Sequence, residues 1–251
     1  MREVAIVGIG QTPVDEQWDK SLREIAGEAV LSAMTDAARD SVEGLFIGNM
    51  LSGMTSKQEN LGSLIADWLG LLGIETVKVE AACGSGAAAA RAAIFAVSSG
   101  EMDCAIAVGV EKMTEGIMIE TTSALATAAD ADYEVAQGLS FVAINALVMQ
   151  RYLHVYKWKH TDFANFSINA HANAIHNPFA RLHEAITLED YKKARMIAEP
   201  INLLDASPIG DGAAAIVVVP ADTLKFSRRP IITVAASASA TDTIAVHSRK
   251  D

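Results

Sequence analysis

The sequence predicts an α/β fold, a largely parallel sheet with helices packed on its faces. Three observations carry that reading. Over the first 110 residues, short apolar runs of strand length alternate with longer stretches whose apolar residues recur at helical spacing. The same alternation resumes near Asp211 after a long break. A chain of 251 residues with 51% apolar side chains can also bury a substantial core.

Taken in order, Glu3 to Gly8 reads as a short buried strand. Ser21 to Arg39 is a helix, with Leu22, Ile25, Ala26, Ala29, Val30 and Ala33 on one face. Gly44 to Gly48 is a second strand, Gln58 to Leu72 a second helix, and Thr76 to Ala81 a third strand. Gly84 to Ser98 is a third helix, stopped by Gly100, and Asp103 to Val110 a fourth strand. Strands separated by helices imply parallel neighbours. From Glu111 to about Pro200 the alternation stops. One strong helix, Gln137 to Tyr156, stands in an otherwise irregular stretch that reads as an insertion or lid. A strand follows over Asp211 to Val219, then a linker from Pro220 to Pro230, then a strand opening at Ile231 to Ala236.

Composition removes several function classes. A net charge of -11 argues against an electrostatic nucleic-acid binder, and the closest approach to a basic patch is Arg228-Arg229. No run is long and apolar enough to span a bilayer, and the N-terminus enters a strand directly without a signal segment. Two cysteines do not make a disulfide framework. The expectation is a soluble cytoplasmic protein with free thiols.

One of those thiols has a setting of its own. Cys83 lies in Val79-Glu80-Ala81-Ala82-Cys83-Gly84-Ser85-Gly86, after an extended segment and immediately before helix-forming sequence. At a helix N-terminus, unpaired amides and the positive end of the dipole favour a negatively charged sulfur. Gly84 and Gly86 allow a tight turn and close approach of a ligand to the backbone, which makes Gly84 a candidate oxyanion contact. The pattern parallels the nucleophile elbow of hydrolases. The helix that follows is alanine-rich and apolar almost all round, interrupted by Arg91, as expected of a helix buried between layers. Cys104, inside Cys104-Ala105-Ile106-Ala107-Val108, reads as core.

The segment around Cys83 resembles the nucleophile motif of thiolases. Three further segments in the same order extend the resemblance over the whole chain. Asp103-Cys104-Ala105-Ile106-Ala107-Val108-Gly109-Val110-Glu111-Lys112-Met113 resembles the family's Gly-Gly-x-Glu-Ser-Met strand end. Asn173-Ala174-Ile175-His176-Asn177-Pro178 resembles a loop of the archaeal and sterol-carrier-protein-type branch, and Asp205 to Ala214 the opening of the last strand of the N-terminal domain.

The resemblance implies a thiolase-type N-terminal domain, a mixed sheet with helices on both faces, over residues 1–220, with an irregular helical insertion at about 111–200. It implies an acyl-CoA acyltransferase in which Cys83 accepts the acyl group as a thioester, with Met113, His176 and Asn177 as substrate contacts. The CoA thioester is the substrate, and no cofactor or metal is implied. Family members dimerise through the N-terminal half. The family's base and oxyanion machinery, an Asn-Glu-Ala-Phe or His-Asp-Ala-Phe motif and a Gly-His-Pro motif whose His activates the cysteine, does not occur in this sequence. Residues 221–251 then read as a linker and the first strand of an absent C-terminal domain. The expected activity is therefore nil, or dependent on a separate C-terminal polypeptide. The alternative is a non-catalytic acyl-CoA-binding or assembly subunit.

Other candidates are weaker. His171, His176 and His183 are spaced by five and seven, do not share a helix face, and lack a cysteine partner. Gly8-Ile9-Gly10 begins a dinucleotide fingerprint that Pro13 breaks. Asp211-Gly212 lacks a phosphate-loop lysine. Met50, Met54, Met113, Met118 and Met149 read as gap-filling core or pocket lining.

Overall fold

The computed structural model describes residues 1–224 and 230–250, so Lys225, Arg228 and Arg229 of the expected linker lie outside the described residues. The chain divides into two compact units, Met1–Glu115 with Gly210–Ser239, and Gly116–Ile209 with Ala240–Asp251.

The first unit is a six-stranded sheet with helices on both faces. Its strands are β1 (Val4–Gln11), β2 (Gly44–Gly48), β3 (Glu75–Val79), β4 (Ala105–Glu111), β7 (Gly212–Pro220) and β8 (Ile232–Thr233), in spatial order β3-β2-β4-β7-β1-β8. Its helices are α1 (Leu22–Ala37), α2 (Ser52–Thr55), α3 (Leu61–Leu69) and α4 (Ser85–Ser99). The sheet is mixed, which corrects the largely parallel arrangement read from alternation alone. β2 runs parallel to β3 and β4, while β7 enters antiparallel between β4 and β1. Alternation of strands and helices fixes parallel neighbours only where a helix joins them directly, and β7 arrives from a remote part of the chain. The strand read over Ile231 to Ala236 is only two residues long and hydrogen-bonds to β1 of this same sheet.

Pleating divides the core in two. Ile106 and Val108 of β4 face Ile25, Ala29 and Val30 of α1 and Ile65 of α3. Ala105 and Ala107, one residue out of phase, face Ala89, Ala93 and Val97 of α4. Small residues let both helices approach closely. A Cβ on Gly8 or Gly10 would lie 2.2 or 2.1 Å from the backbone oxygens of Ala33 or Ala29 in α1, which accounts for the glycines that open the broken dinucleotide pattern. α1 begins at Ser21, whose N–H donates to the Glu24 carboxylate at 2.7 Å.

The second unit is more helical than the sequence predicts. Beside α6 (Phe141–Tyr156) it contains α5 (Met118–Ala126), α7 (Ala164–Ala174) and α8 (Leu188–Lys193), with a small ribbon of β5 (Met196–Ala198) and β6 (Ile201–Asn202). α7 is hidden in the sequence because Asn, Ser and His are weak helix formers and only Ala164 and Ser167 are buried, so no apolar stripe marks it. A capping box at Thr187 and Asp190 starts α8. That helix drives Tyr191 fully inside, where its hydroxyl donates to Asp205 at 2.5 Å and lies 2.8 Å from His160 Nε2. His160 Nε2 is also 3.0 Å from Asp205. Burial, followed by the Asp205 hydrogen bond, pushes the Tyr191 phenol well above its ordinary range. The end of the chain docks here too, with the Val246 N–H donating to the buried Glu134 carboxylate at 2.7 Å. Among the described residues, no helix is long and apolar enough to cross a membrane.

Candidate active site

The site is built where β2, β3 and β4 all end, at the start of α4. Gly48 and Gly109 are register partners across β2 and β4. A Cβ on Gly48 would fall 2.4 Å from the Ser85 carbonyl oxygen and 2.6 Å from Gly86 Cα, and one on Gly109 would fall 3.3 Å from Gly86 Cα. Three glycines thus let the first turn of α4 rest directly on the sheet backbone.

The chain reaches that turn through an elbow. Ala82, the residue before Cys83, has φ +48°, in the left-handed region that costs a residue with a Cβ about 1–2 kcal/mol. Its peptide is held from both sides. The Ala82 N–H donates to Glu80, and the Ala82 carbonyl accepts from the Ser85 N–H at 3.1 Å and the Ser85 hydroxyl at 2.7 Å. Ser85 Oγ in turn accepts from the Ala81 N–H at 2.9 Å. The elbow leaves Cys83 exposed at the helix start, whereas Cys104 is a buried thiol that burial pushes up in pKa. Gly84 is the N-cap of α4, and its N–H donates to the Ala81 carbonyl at 2.9 Å. As an oxyanion donor it would have to share that hydrogen.

Two buried carboxylates hold the neighbouring loops. Asp211 is fully buried and accepts from the amides of Gln17, Met113 and Thr114 and from the Thr114 hydroxyl, at 3.1, 2.7, 3.0 and 2.6 Å. Burial raises its pKa, but these hydrogen bonds outweigh burial and leave the carboxyl below its ordinary value. Lys112, 3% exposed, lies 3.4 Å from it and donates to the Gln17 carbonyl at 2.8 Å. The Asp211-Gly212 motif is therefore a pin between β7 and the loop after β4. Glu111, at the end of β4, accepts from the amides of Met50 and Leu51 at 2.6 and 3.2 Å, while its second oxygen is buried with no partner. Burial pushes its pKa up against those bonds.

The sequence-derived candidates separate by unit. Cys83, Gly84 and Met113 belong to the first, and Met113 is half-buried with its amide on Asp211. His176 and Asn177 belong to the second, exposed just beyond α7, where Asn177 Oδ1 accepts from the Phe179 N–H at 3.0 Å. Sequence reasoning did not find Ser85, Glu111, Lys112 or Asp211. Only Ser85 left a signal, a hydroxyl at the first helical position that can bond back to the preceding turn. α4 is also less enclosed than its composition predicts. Ala89, Ala93 and Val97 are buried, but Ala87 and Phe95 on the opposite face are exposed.

This elbow-and-glycine arrangement occurs in a chain whose residues 4–222 match the model of the thiolase N-terminal domain. The chain belongs to the thiolase family. It is 42% identical to an acetyl-CoA acetyltransferase of Methanothermobacter thermautotrophicus and 39% identical to one of Methanocaldococcus jannaschii, in both cases over its whole length. It spans 66% and 64% of the lengths of those two thiolase relatives. Sterol carrier protein 2 of Gallus gallus is a more distant relative, 26% identical over 89% of this chain and 42% of its own. Among solved structures, an Ltp2-ChsH2(DUF35) aldolase superposes with a TM-score of 0.77 at 27% identity, over 99% of this chain and 65% of the other. An acetyl-CoA acetyltransferase from Syntrophomonas wolfei superposes with a TM-score of 0.73 at 17% identity, over 90% of this chain and 66% of the other, a likeness of fold alone.

Proposed function

We propose that this thiolase-family chain carries the acyl-accepting half of an acyl-CoA acyltransferase, with Cys83 as the nucleophile. The observation that carries the reading is the exposed Cys83 sulfur at the start of α4, presented by a left-handed residue and braced on both sides. The 42% identity to an acetyl-CoA acetyltransferase supports a short-chain CoA thioester as substrate.

In this reading the Cys83 sulfur attacks the thioester carbonyl of acyl-CoA. A new sulfur–carbon bond forms, the bond to the CoA sulfur breaks, and CoA leaves with the proton that Cys83 gives up. The positive end of α4 stabilises the attacking sulfur. In this reading the base that takes that proton is the His of a C-terminal Gly-His-Pro motif, a pattern that residues 1–251 do not contain. Acylation by this chain alone is accordingly slow, since a positioned base contributes on the order of 100- to 10,000-fold. Two partners complete the proposal. The first is a C-terminal thiolase half, on a separate polypeptide or on a longer native chain, that supplies the base. The second is a further copy of this chain, paired through β3, which forms an open edge of the sheet.

Isotope exchange between labelled CoA and acetyl-CoA tests the reading, because it needs only reversible acylation. We expect slow exchange by this chain, faster exchange when the C-terminal third of a thiolase relative is added, and none in Cys83→Ala. Equal exchange by Cys83→Ala would remove Cys83 from the chemistry.

A further inference from the structure

The elbow that presents Cys83 is held by a side chain that does not face the substrate. We infer that Ser85 is a positioning residue for Cys83, acting by keeping Ala82 in its left-handed conformation. This deepens the nucleophile reading and rests on it for its bearing on acyl transfer.

Ser85 is 4% exposed and touches the elbow at three points. Its hydroxyl donates to the Ala82 carbonyl and accepts from the Ala81 N–H, while its own N–H donates to the Ala82 carbonyl. The hydroxyl therefore joins the Glu80–Ala81 peptide to the Ala82–Cys83 peptide and so spans the Ala82 φ/ψ pair, and a backbone that would relax toward ordinary φ must strain or break these bonds. The other end of the same residue is fixed as well. The Ser85 carbonyl lies against Gly48, where even a methyl group has no room. One residue thus ties the elbow to α4 and α4 to β2. The Glu80 carboxylate also holds the Ala82 N–H, but Glu80 is exposed, so water can replace it. Losing the buried Ser85 hydroxyl leaves the Ala82 carbonyl with the Ser85 N–H alone and takes the acceptor from the Ala81 N–H.

The strain gives the inference a test that a merely structural serine would not pass. Glycine has no Cβ penalty at positive φ, so a glycine at position 82 holds the elbow conformation without the hydroxyl. The rate at which iodoacetamide alkylates Cys83 is measured at neutral pH in wild type, Ser85→Ala, Ala82→Gly and the double variant, with buried Cys104 as internal control. Loss of two buried hydrogen bonds predicts alkylation about tenfold slower in Ser85→Ala. The double variant is expected to recover to within about twofold of Ala82→Gly, a non-additive cycle. An unchanged rate in folded Ser85→Ala overturns the inference, and so does equal slowing in both backgrounds. If Ser85→Ala alone fails to fold, recovery of a folded, reactive double variant supports the inference, and failure of both overturns it. Alkylation requires no CoA. A chain that obeys this cycle but shows no CoA exchange would retain Ser85 as the elbow's clamp while the acyltransferase reading fails.

Discussion

Replacing Gly48 by alanine is the sharpest structural perturbation of the site, because everything its new methyl group meets is backbone. The Cβ would stand 2.4 Å from the Ser85 oxygen, 2.5 Å from the Ser85 carbonyl carbon and 2.6 Å from Gly86 Cα. Restoring an ordinary separation of about 3.5 Å requires the first turn of α4 to move by about 1 Å. No side-chain rotation relieves this, since Ser85 and Gly86 present main chain. Overpacking of this kind costs about 1–3 kcal/mol. The stability loss is only part of the effect, because the displaced turn is the one that carries Cys83, and a 1 Å misplacement of a reacting group costs on the order of 100-fold. Urea unfolding followed by circular dichroism measures the first quantity, and CoA exchange or Cys83 alkylation the second. The expected result is a modestly destabilised, folded protein with disproportionately low Cys83 reactivity. Wild-type stability together with wild-type reactivity would refute the claim that glycine contact seats the elbow.

Further outcomes follow from the buried charges. The carboxyl of Asp211 has a folded pKa below the unfolded value of 3.8, so its stabilisation is present above that pH and is lost as pH falls through the lower folded value. Asp211→Asn should destabilise by about 1–3 kcal/mol near neutral pH, because a neutral amide is a poorer acceptor for the Gln17, Met113 and Thr114 donors while Lys112 keeps Glu115 and the Gln17 carbonyl, and the gap to wild type should narrow in acid, as urea titrations at several pH values would show. Glu111 has the opposite sign. Its folded pKa is raised above 4.5, so wild type loses stability relative to Glu111→Gln as pH rises through the folded value. A wild type that gains stability relative to Glu111→Gln with rising pH would contradict the burial argument. Tyr191→Phe removes the hydroxyl donor to Asp205 and should cost about 1–3 kcal/mol, seen as faster hydrogen exchange in α8 and at Asn202. Native alkylation should mark Cys83 and spare Cys104 until the protein unfolds.

The parts of this molecule legible in its sequence are those governed by local pattern. Ile25, Ala29 and Val30 recur at helical spacing because one face of α1 meets a sheet, and that face is buried as the spacing requires. The Cys83 segment was readable because a strand, a small-residue turn and a helix follow one another within a few residues. What escaped depends on contacts between remote residues. Asp211 is nearly a hundred positions from the Thr114 and Met113 amides it holds, and nothing about an aspartate before a glycine announces that use. The insertion of β7 between β4 and β1 is likewise a choice of partner, not of local conformation. In α7 the burial is too slight to impose a pattern at all.

The account stands on a covalent claim, and peptide mapping after brief exposure to acetyl-CoA addresses it most directly. With a C-terminal thiolase polypeptide present, one acetyl group is expected on the tryptic peptide containing Cys83, removed by added CoA and absent from Cys83→Ala. An acetyl group on Cys104 or on a lysine instead, or none under conditions where CoA exchange proceeds, would contradict it.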